Sequence, residues 1–213
     1  MKSWKAMLER KLFSSVVVGN DLMPTFLAAY PNEFQVARQE RLSYLDRKEA
    51  ERLIIEPVVL PDGDSRYKGD SVARILDLTA RNPYYVQLFC NRLIERMNAE
   101  RQPLIGPADV DNVAEALVHG DKSLTREQFD NLLTPGDAEV SALSAESAMD
   151  VLKGCLSGHR RALYLDGRRA ADIQQGPQVL EDLVRRDVIE HESEERYRIK
   201  VGLFAEWLWA RRA

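Results

Sequence analysis

The chain reads as a mainly α protein with minor β content, and three observations predict this. Apolar residues recur at helical spacing through most of residues 46–120. Only one segment before residue 160 has strong strand character, the β-branched run Phe13-Ser-Ser-Val-Val-Val-Gly19. Beyond residue 120 two more helical stretches precede a hairpin pattern with a charged tip. The changes in pattern divide the chain into 1–45, 46–120 and 121–213. A length of 213 residues with 45% hydrophobic and 30% charged residues suits two modest cores, since domains run to about 100–150 residues.

The elements follow in order. Trp4 to Leu12 predicts a short helix, and the Phe13–Gly19 run predicts a buried strand, accompanied only by a weak Phe34 to Arg38 stretch. A buried strand needs neighbours on both edges, so the sheet reads as incomplete and its missing part is expected N-terminal to this chain. Asp46 caps a helix over Arg47 to Ile55, Glu49 stands where a capping box needs it, and Pro57 stops the helix. Asp70 to Ala80 aligns Val72, Ile75, Leu76 and Thr79. Pro83 opens a helix in which Tyr85, Phe89, Leu93 and Met97 repeat every four residues, and Pro107 to Leu117 adds another. After Gly120 and the polar Thr134–Asp137 stretch come a helix over Ser144 to Leu156, an apolar run Ala162 to Leu165, and a helix over Pro177 to Arg186. Val188-Ile189, the tip His191–Glu195, and Tyr197–Val201 then form a hairpin. Helix, helix, hairpin is winged-helix order. A last amphipathic helix carries Phe204, Trp207 and Leu208 back onto it.

A net charge of −4, from 34 acidic and 30 basic residues, gives no overall attraction to nucleic acid or anionic membrane. Cys90 and Cys155 sit in apolar helical contexts and are expected as buried thiols in a reducing cytoplasm. No window approaches the ~18 apolar residues of a membrane span, so a membrane partner is not expected. The three histidines, His119, His159 and His191, have no metal-ligand spacing with the cysteines.

Four segments in this order carry a resemblance: Val16-Val-Val-Gly-Asn20; Leu42-Ser-Tyr-Leu45 leading into Glu49-Ala-Glu-Arg-Leu-Ile-Ile-Glu-Pro57; Leu78-Thr-Ala-Arg-Asn-Pro-Tyr-Tyr-Val-Gln-Leu88; and Tyr197-Arg-Ile-Lys-Val-Gly-Leu-Phe-Ala-Glu-Trp207. The chain resembles the C-terminal region of AAA+-like ATPases of the STAND and origin-recognition-like type. The resemblance implies a remnant of an α/β AAA+ core over 1–45, a helical lid over 46–120 and a winged-helix domain over 121–213. It implies that Asn20 ends the sensor-1 strand, where a neutral amide orients the attacking water. Asn20 and Asp21 equally suit the cap of a following helix. Arg38 and Arg41 would point at nucleotide phosphates or a neighbouring subunit, or lie solvated on the surface. Arg81-Asn82-Pro83 corresponds to the glycine-x-proline lid element: Pro83 would rest against adenine, and Arg81 replaces the glycine while able to act as a sensor-2 arginine. Lys200 stands near the place of a histidine-aspartate pair and could reach a phosphate as a point charge.

No Gly-x-x-x-x-Gly-Lys-[Ser/Thr] string occurs, so no loop here cradles nucleotide phosphates and hydrolysis by this chain alone is not expected. ATP or ADP with magnesium is expected only in a parent protein. The implied partner is the missing ATPase core, in the same polypeptide or a separate chain, with a homo-oligomer or a regulatory protein as further partners. The alternative is a DNA-binding regulator using Arg168, Arg169, Arg185 and Arg186, together with Arg160 and Arg161, on phosphates. Against it stand Glu181, Asp182 and Asp187 beside those arginines, and Glu192, Glu194 and Glu195 at the tip.

Overall fold

The computed structural model describes residues 6–7, 10, 14–19, 23–34, 37–38, 40, 43–121, 123–135, 143–159 and 162–212. Its described part is mainly helical with one four-stranded antiparallel sheet, all of it C-terminal. Near the start, α1 (Met23–Ala29) and α2 (Pro31–Phe34) are joined by Phe26, whose ring lies 5.2 Å from Tyr30 and 5.5 Å from Phe34.

The expected buried strand does not form. Residues 14–19 have no regular structure, and Val16 and Val18 are 90% and 84% exposed. A strand is stable only when its amides and carbonyls pair with a neighbour, and no described segment of the first half supplies one. The weak 34–38 stretch likewise forms no strand at its described residues: Phe34 closes α2, and the Ala37 amide donates back to the Phe34 carbonyl at 2.9 Å. Most of the expected Trp4–Leu12 helix lies outside the described residues.

From residue 43 the predicted helices appear with close bounds. In α3 (Arg47–Ile55) the Asp46 carboxylate accepts from the Glu49 amide at 2.8 Å, as an N-cap should. Glu49 itself turns to Arg52, so only half of the capping box forms. Pro57 falls in the 3-10 turn Glu56–Val58 that ends the helix. Next, α4 (Ser71–Thr79), α5 (Pro83–Glu100) and α6 (Pro107–His119) pack around the four-residue repeat of α5, with Tyr85, Phe89, Leu93 and Met97 all buried.

After a 3-10 turn Arg126–Phe129 and α7 (Asp130–Leu133), Ser144 caps α8 (Ala145–Cys155). The hairpin β1 (Leu156–His159) and β2 (Ala162–Asp166) follows, then a 3-10 turn Gly167–Asp172 and α9 (Gly176–Arg185). A second hairpin, β3 (Ile189–Ser193) and β4 (Arg196–Ile199), leads to α10 (Gly202–Ala210). The sheet order is β1-β2-β4-β3, with Leu165 opposite Tyr197 and Ile189 opposite Ile199.

One apolar core runs through both the 46–120 helices and the 121–213 unit. Its centre is an aromatic column: the Phe129 ring lies 5.7 Å from Tyr85, 4.7 Å from Phe204 and 5.1 Å from Trp207. The polar ends are satisfied, as buried polar groups require. The Tyr85 hydroxyl donates to Asn131 Oδ1 at 2.9 Å, and Trp207 Nε1 donates to the Leu124 carbonyl at 2.7 Å. Beside the column, Gly202 lets α10 start against α4: a Cβ there would stand 3.0 Å from the Asp77 carbonyl oxygen, close enough that the α4 backbone would have to give by a few tenths of an ångström.

Because Phe129 touches aromatic partners from both halves, Phe129→Ala is expected to cost about 3–5 kcal/mol. Urea unfolding followed by circular dichroism measures this; a loss under about 1 kcal/mol would mean the column is not the joint.

Candidate functional site

A cleft of about 400 Å³ opens where the α4–α5 corner meets the second hairpin, lined by Tyr44, Leu76, Asp77, Ala80, Arg81, Glu190, Arg198 and Lys200. Each cation reaches it for a local reason. Side chains alternate along a strand, and in Arg196–Val201 the alternate residues Ile199 and Val201 are buried. Arg198 and Lys200 are thereby turned to the opposite side.

Arg81 comes from an unusual helix end. Ala80 and Arg81 both take left-handed backbone, with φ of 51° and 64°. Asn82 then caps α5, its side chain accepting from the Tyr84 amide at 3.0 Å, and Pro83 fills the first helical turn. The position that the resemblance assigns to glycine thus keeps a conformation glycine favours, although arginine occupies it. The Arg81 guanidinium has no hydrogen-bond or ion-pair partner among the described residues.

The other cations are engaged. Glu190 lies opposite Arg198 in the β3–β4 register and accepts from it, at 2.8 Å from Nε. Lys200 Nζ donates to Asp187 Oδ1, lies 3.8 Å from Glu190 and sits 5.2 Å over the Tyr44 ring. Asp187, itself in left-handed backbone at φ 67°, also accepts from Ser43 Oγ at 2.6 Å, while its carbonyl accepts from the Tyr44 hydroxyl at 2.9 Å. The Leu45 amide donates to the Arg81 carbonyl at 3.1 Å. Residues 43–45 therefore form a strap across both walls of the cleft.

Of the residues singled out from sequence, Arg81 and Lys200 meet at this cleft although 119 positions separate them (200 minus 81). Pro83 is exposed beside it and is not among the lining residues. Arg38 pairs with Glu40 at 2.5 Å and is also elsewhere. Asn20 and Arg41 lie outside the described residues.

The arginines expected to face DNA are held by acids. Arg168 is 3.1 Å from both Asp166 and Glu195, Arg169 is 3.9 Å from Asp166, and Arg185 is 2.6 Å from Asp182. Arg186 departs furthest from expectation. Its side chain is 3% exposed, bound to Asp182 at 2.8 Å and to the Thr134 carbonyl at 3.1 Å, so it is a buried structural cation. Arg160 and Arg161 lie outside the described residues.

Sequence reasoning gave no role to Tyr44, Glu190 or Arg198, and named Asp187 only as an acid unsuited to DNA. A signal for two of them was present: Arg196-x-Arg198-x-Lys200 alternates cations along a strand, and a hairpin register brings Glu190 opposite Arg198. Nothing local marks Asp187 as the partner of Ser43, 144 positions away.

Burial pushes the Tyr44 phenol well above its ordinary value, and the nearby charges of Asp187 and Glu190 push it further. Burial also raises Tyr67, which points at Cys90, and Tyr85 within the aromatic column. The Cys90 thiol is pushed up to about 11 and Cys155 to about 11, both chiefly by burial, which leaves little nucleophilic thiolate. Among the described residues no group of three or more His, Cys, Asp or Glu is placed to hold a metal ion. No helix among them is long and apolar enough to cross a membrane.

No family model, curated protein or solved structure matches the chain.

Two outcomes follow from this geometry. Ala80→Gly removes a Cβ from left-handed backbone and is expected to add about 1 kcal/mol of stability, raising Tm by roughly 2–4 °C; calorimetry showing a lower Tm would contradict it. Tyr44, Tyr67 and Tyr85 have folded-state values above the ordinary 10.0. Their contribution to stability is therefore complete below that pH and is lost as pH rises toward the raised values. In an alkaline titration of tyrosinate absorbance these three of the seven tyrosines are expected to ionise only with cooperative unfolding. Smooth ionisation of every tyrosine with native circular dichroism would contradict that.

Proposed function

We propose that this chain is the nucleotide-sensing lid and winged-helix switch region of an AAA+/STAND-type ATPase, acting with an ATP-binding core that it does not itself contain. The observation that carries this reading is the meeting of Arg81 from the α4–α5 corner with Lys200 from the end of β4 across one cleft. A guanidinium without a partner among the described residues, lining the same cleft as an ammonium group, suits a polyphosphate, because charge-assisted contacts to phosphate are the strong ones. The left-handed backbone at Arg81 supports placing it at the glycine of the lid element.

The winged-helix assignment draws support from the sheet order β1-β2-β4-β3, in which the strand before α9 pairs with the second strand of the terminal hairpin. The shared core argues that lid and winged helix move together as one rigid body. Bending would then occur N-terminal to α3, where residues 43–45 strap the two walls. Such hinge motion of packed bodies around a ligand is a common switching mode. On this reading magnesium and the transferred phosphate belong to the core, hydrolysis is not a property of this chain, and a cytoplasmic setting with ATP at hand is its place of work. Neighbouring copies or a regulatory protein would read the position of the rigid body.

ADP titrated into the isolated chain is expected to bind weakly, with a Kd on the order of 1 mM. Amide shifts in nuclear magnetic resonance spectra should cluster at Tyr44, Arg81, Arg198 and Lys200. Shifts that cluster elsewhere, or their absence at saturating ADP, would sink the reading.

A further inference from the structure

We infer that Asp77 is the sugar-reading residue of the cleft: its carboxylate accepts from the ribose hydroxyls of a nucleotide whose phosphates meet Arg81. This deepens the nucleotide reading and rests on it for the phosphate end of the ligand.

The charges that line the cleft fall into two groups. Glu190 is held by Arg198 and lies 3.8 Å from Lys200, which is itself paired with Asp187. The side chains of Asp77 and Arg81 line the same cleft with no hydrogen-bond or ion-pair partner among the described residues. One carboxylate and one guanidinium are thus left to meet a ligand.

Local structure fixes where that carboxylate stands. Leu76 and Leu78 are buried on either side of Asp77, while Asp77 itself is exposed. The Asp77 carbonyl lies against Gly202 at the start of α10, so this turn of α4 is backed by a second helix. The residue falls in the last turn of α4, which ends at Thr79. Negative charge at that end opposes the helix dipole, so Asp77 does not serve the helix that carries it.

What Asp77 can bind follows from its chemistry. An ionised carboxylate only accepts hydrogen bonds, and ionised phosphate oxygens accept likewise, so Asp77 must meet a different part of the ligand from the phosphates. A vicinal diol supplies two O–H donors that converge on the two oxygens of one carboxylate. In a nucleotide the ribose joins the phosphate chain directly, and the base lies beyond it. A carboxylate that shares one cleft with Arg81 therefore meets the sugar before the edge of the base. Acidic side chains take ribose hydroxyls in this way in dinucleotide-binding folds. At about 400 Å³ the cleft has room for sugar and phosphates together.

Asp77→Ala tests this, because removing an exposed acid from the last turn of α4 is expected to leave Tm unchanged or raised. The ligands are ADP, 2′-deoxy-ADP and inorganic pyrophosphate, each titrated in EDTA so that no metal bridges carboxylate and phosphate. The unchanged protein is expected to bind ADP about five- to tenfold more tightly than 2′-deoxy-ADP, which lacks one charge-assisted hydrogen bond. The variant is expected to bind ADP about tenfold more weakly than the unchanged protein and to lose the distinction between the two nucleotides. Pyrophosphate has no sugar and should bind the variant as tightly as before or more tightly, since a like charge has left its surroundings. Equal affinities of the unchanged protein for ADP and 2′-deoxy-ADP overturn the inference and leave the nucleotide reading in place. A parallel loss of ADP and pyrophosphate binding in the variant also overturns it, by making Asp77 a support of the cleft and not a reader of the sugar. Absence of ADP binding by the unchanged protein overturns both readings together.

Discussion

The arrangement depends first on Phe129. Its ring touches Tyr85 from one half of the chain and both Phe204 and Trp207 from the other. Large aromatic surfaces dominate core energetics, and offset or tilted contacts of this kind add to the area they bury. With Trp207 also donating to Leu124 and Gly202 seated against the Asp77–Leu78 backbone, α10 is bound to α4 and to the 124–129 segment at several points. The cleft follows from that joint. Its two walls, the α4–α5 corner and the second hairpin, face each other because the core beneath them is shared.

Placement of charge within the cleft is a matter of backbone rules. Alternation along β4 sends Arg198 and Lys200 outward while Ile199 and Val201 go inward. The corner needs two successive left-handed residues, and that geometry, unfavourable for alanine and arginine by about 1–2 kcal/mol each, holds Arg81 at the rim. The acids are as ordered as the bases, since Glu190 is set by strand register and Asp187 by its turn. The cleft is therefore a balanced network with one unpartnered guanidinium among the described residues.

Elements with a strong local signal were legible in the sequence. The four-residue repeat from Tyr85 to Met97, the cap at Asp46, the opening Pro83 and the start at Ser144 depend only on neighbours in the chain, so the helices they define fall close to their expected bounds. The terminal hairpin is likewise local. Phe13–Gly19 read as a strand because its residues favour one, yet a strand also needs an edge to pair with, and composition cannot supply that. Arg186 read as a surface cation for the same reason: being one of two adjacent arginines says nothing of Asp182 and the Thr134 carbonyl around it. The site was legible only in part. Arg81 and Lys200 could be named singly, but the strap of residues 43–45 and its partner Asp187 are joined across 144 positions, a pairing created by the tertiary fold.

Two halves that share a core move together rather than apart. The central claim is thus mechanical: the described residues between 46 and 210 behave as one body. Native-state hydrogen exchange measures it most directly, because each cooperative unit opens with its own free energy. The account predicts that core amides at Leu93 in α5, Leu152 in α8 and Leu208 in α10 exchange through the same opening, with one free energy and one dependence on denaturant. If Leu152 and Leu208 opened at distinctly lower free energy while Leu93 stayed protected, the two halves would be separate bodies and the account would fail.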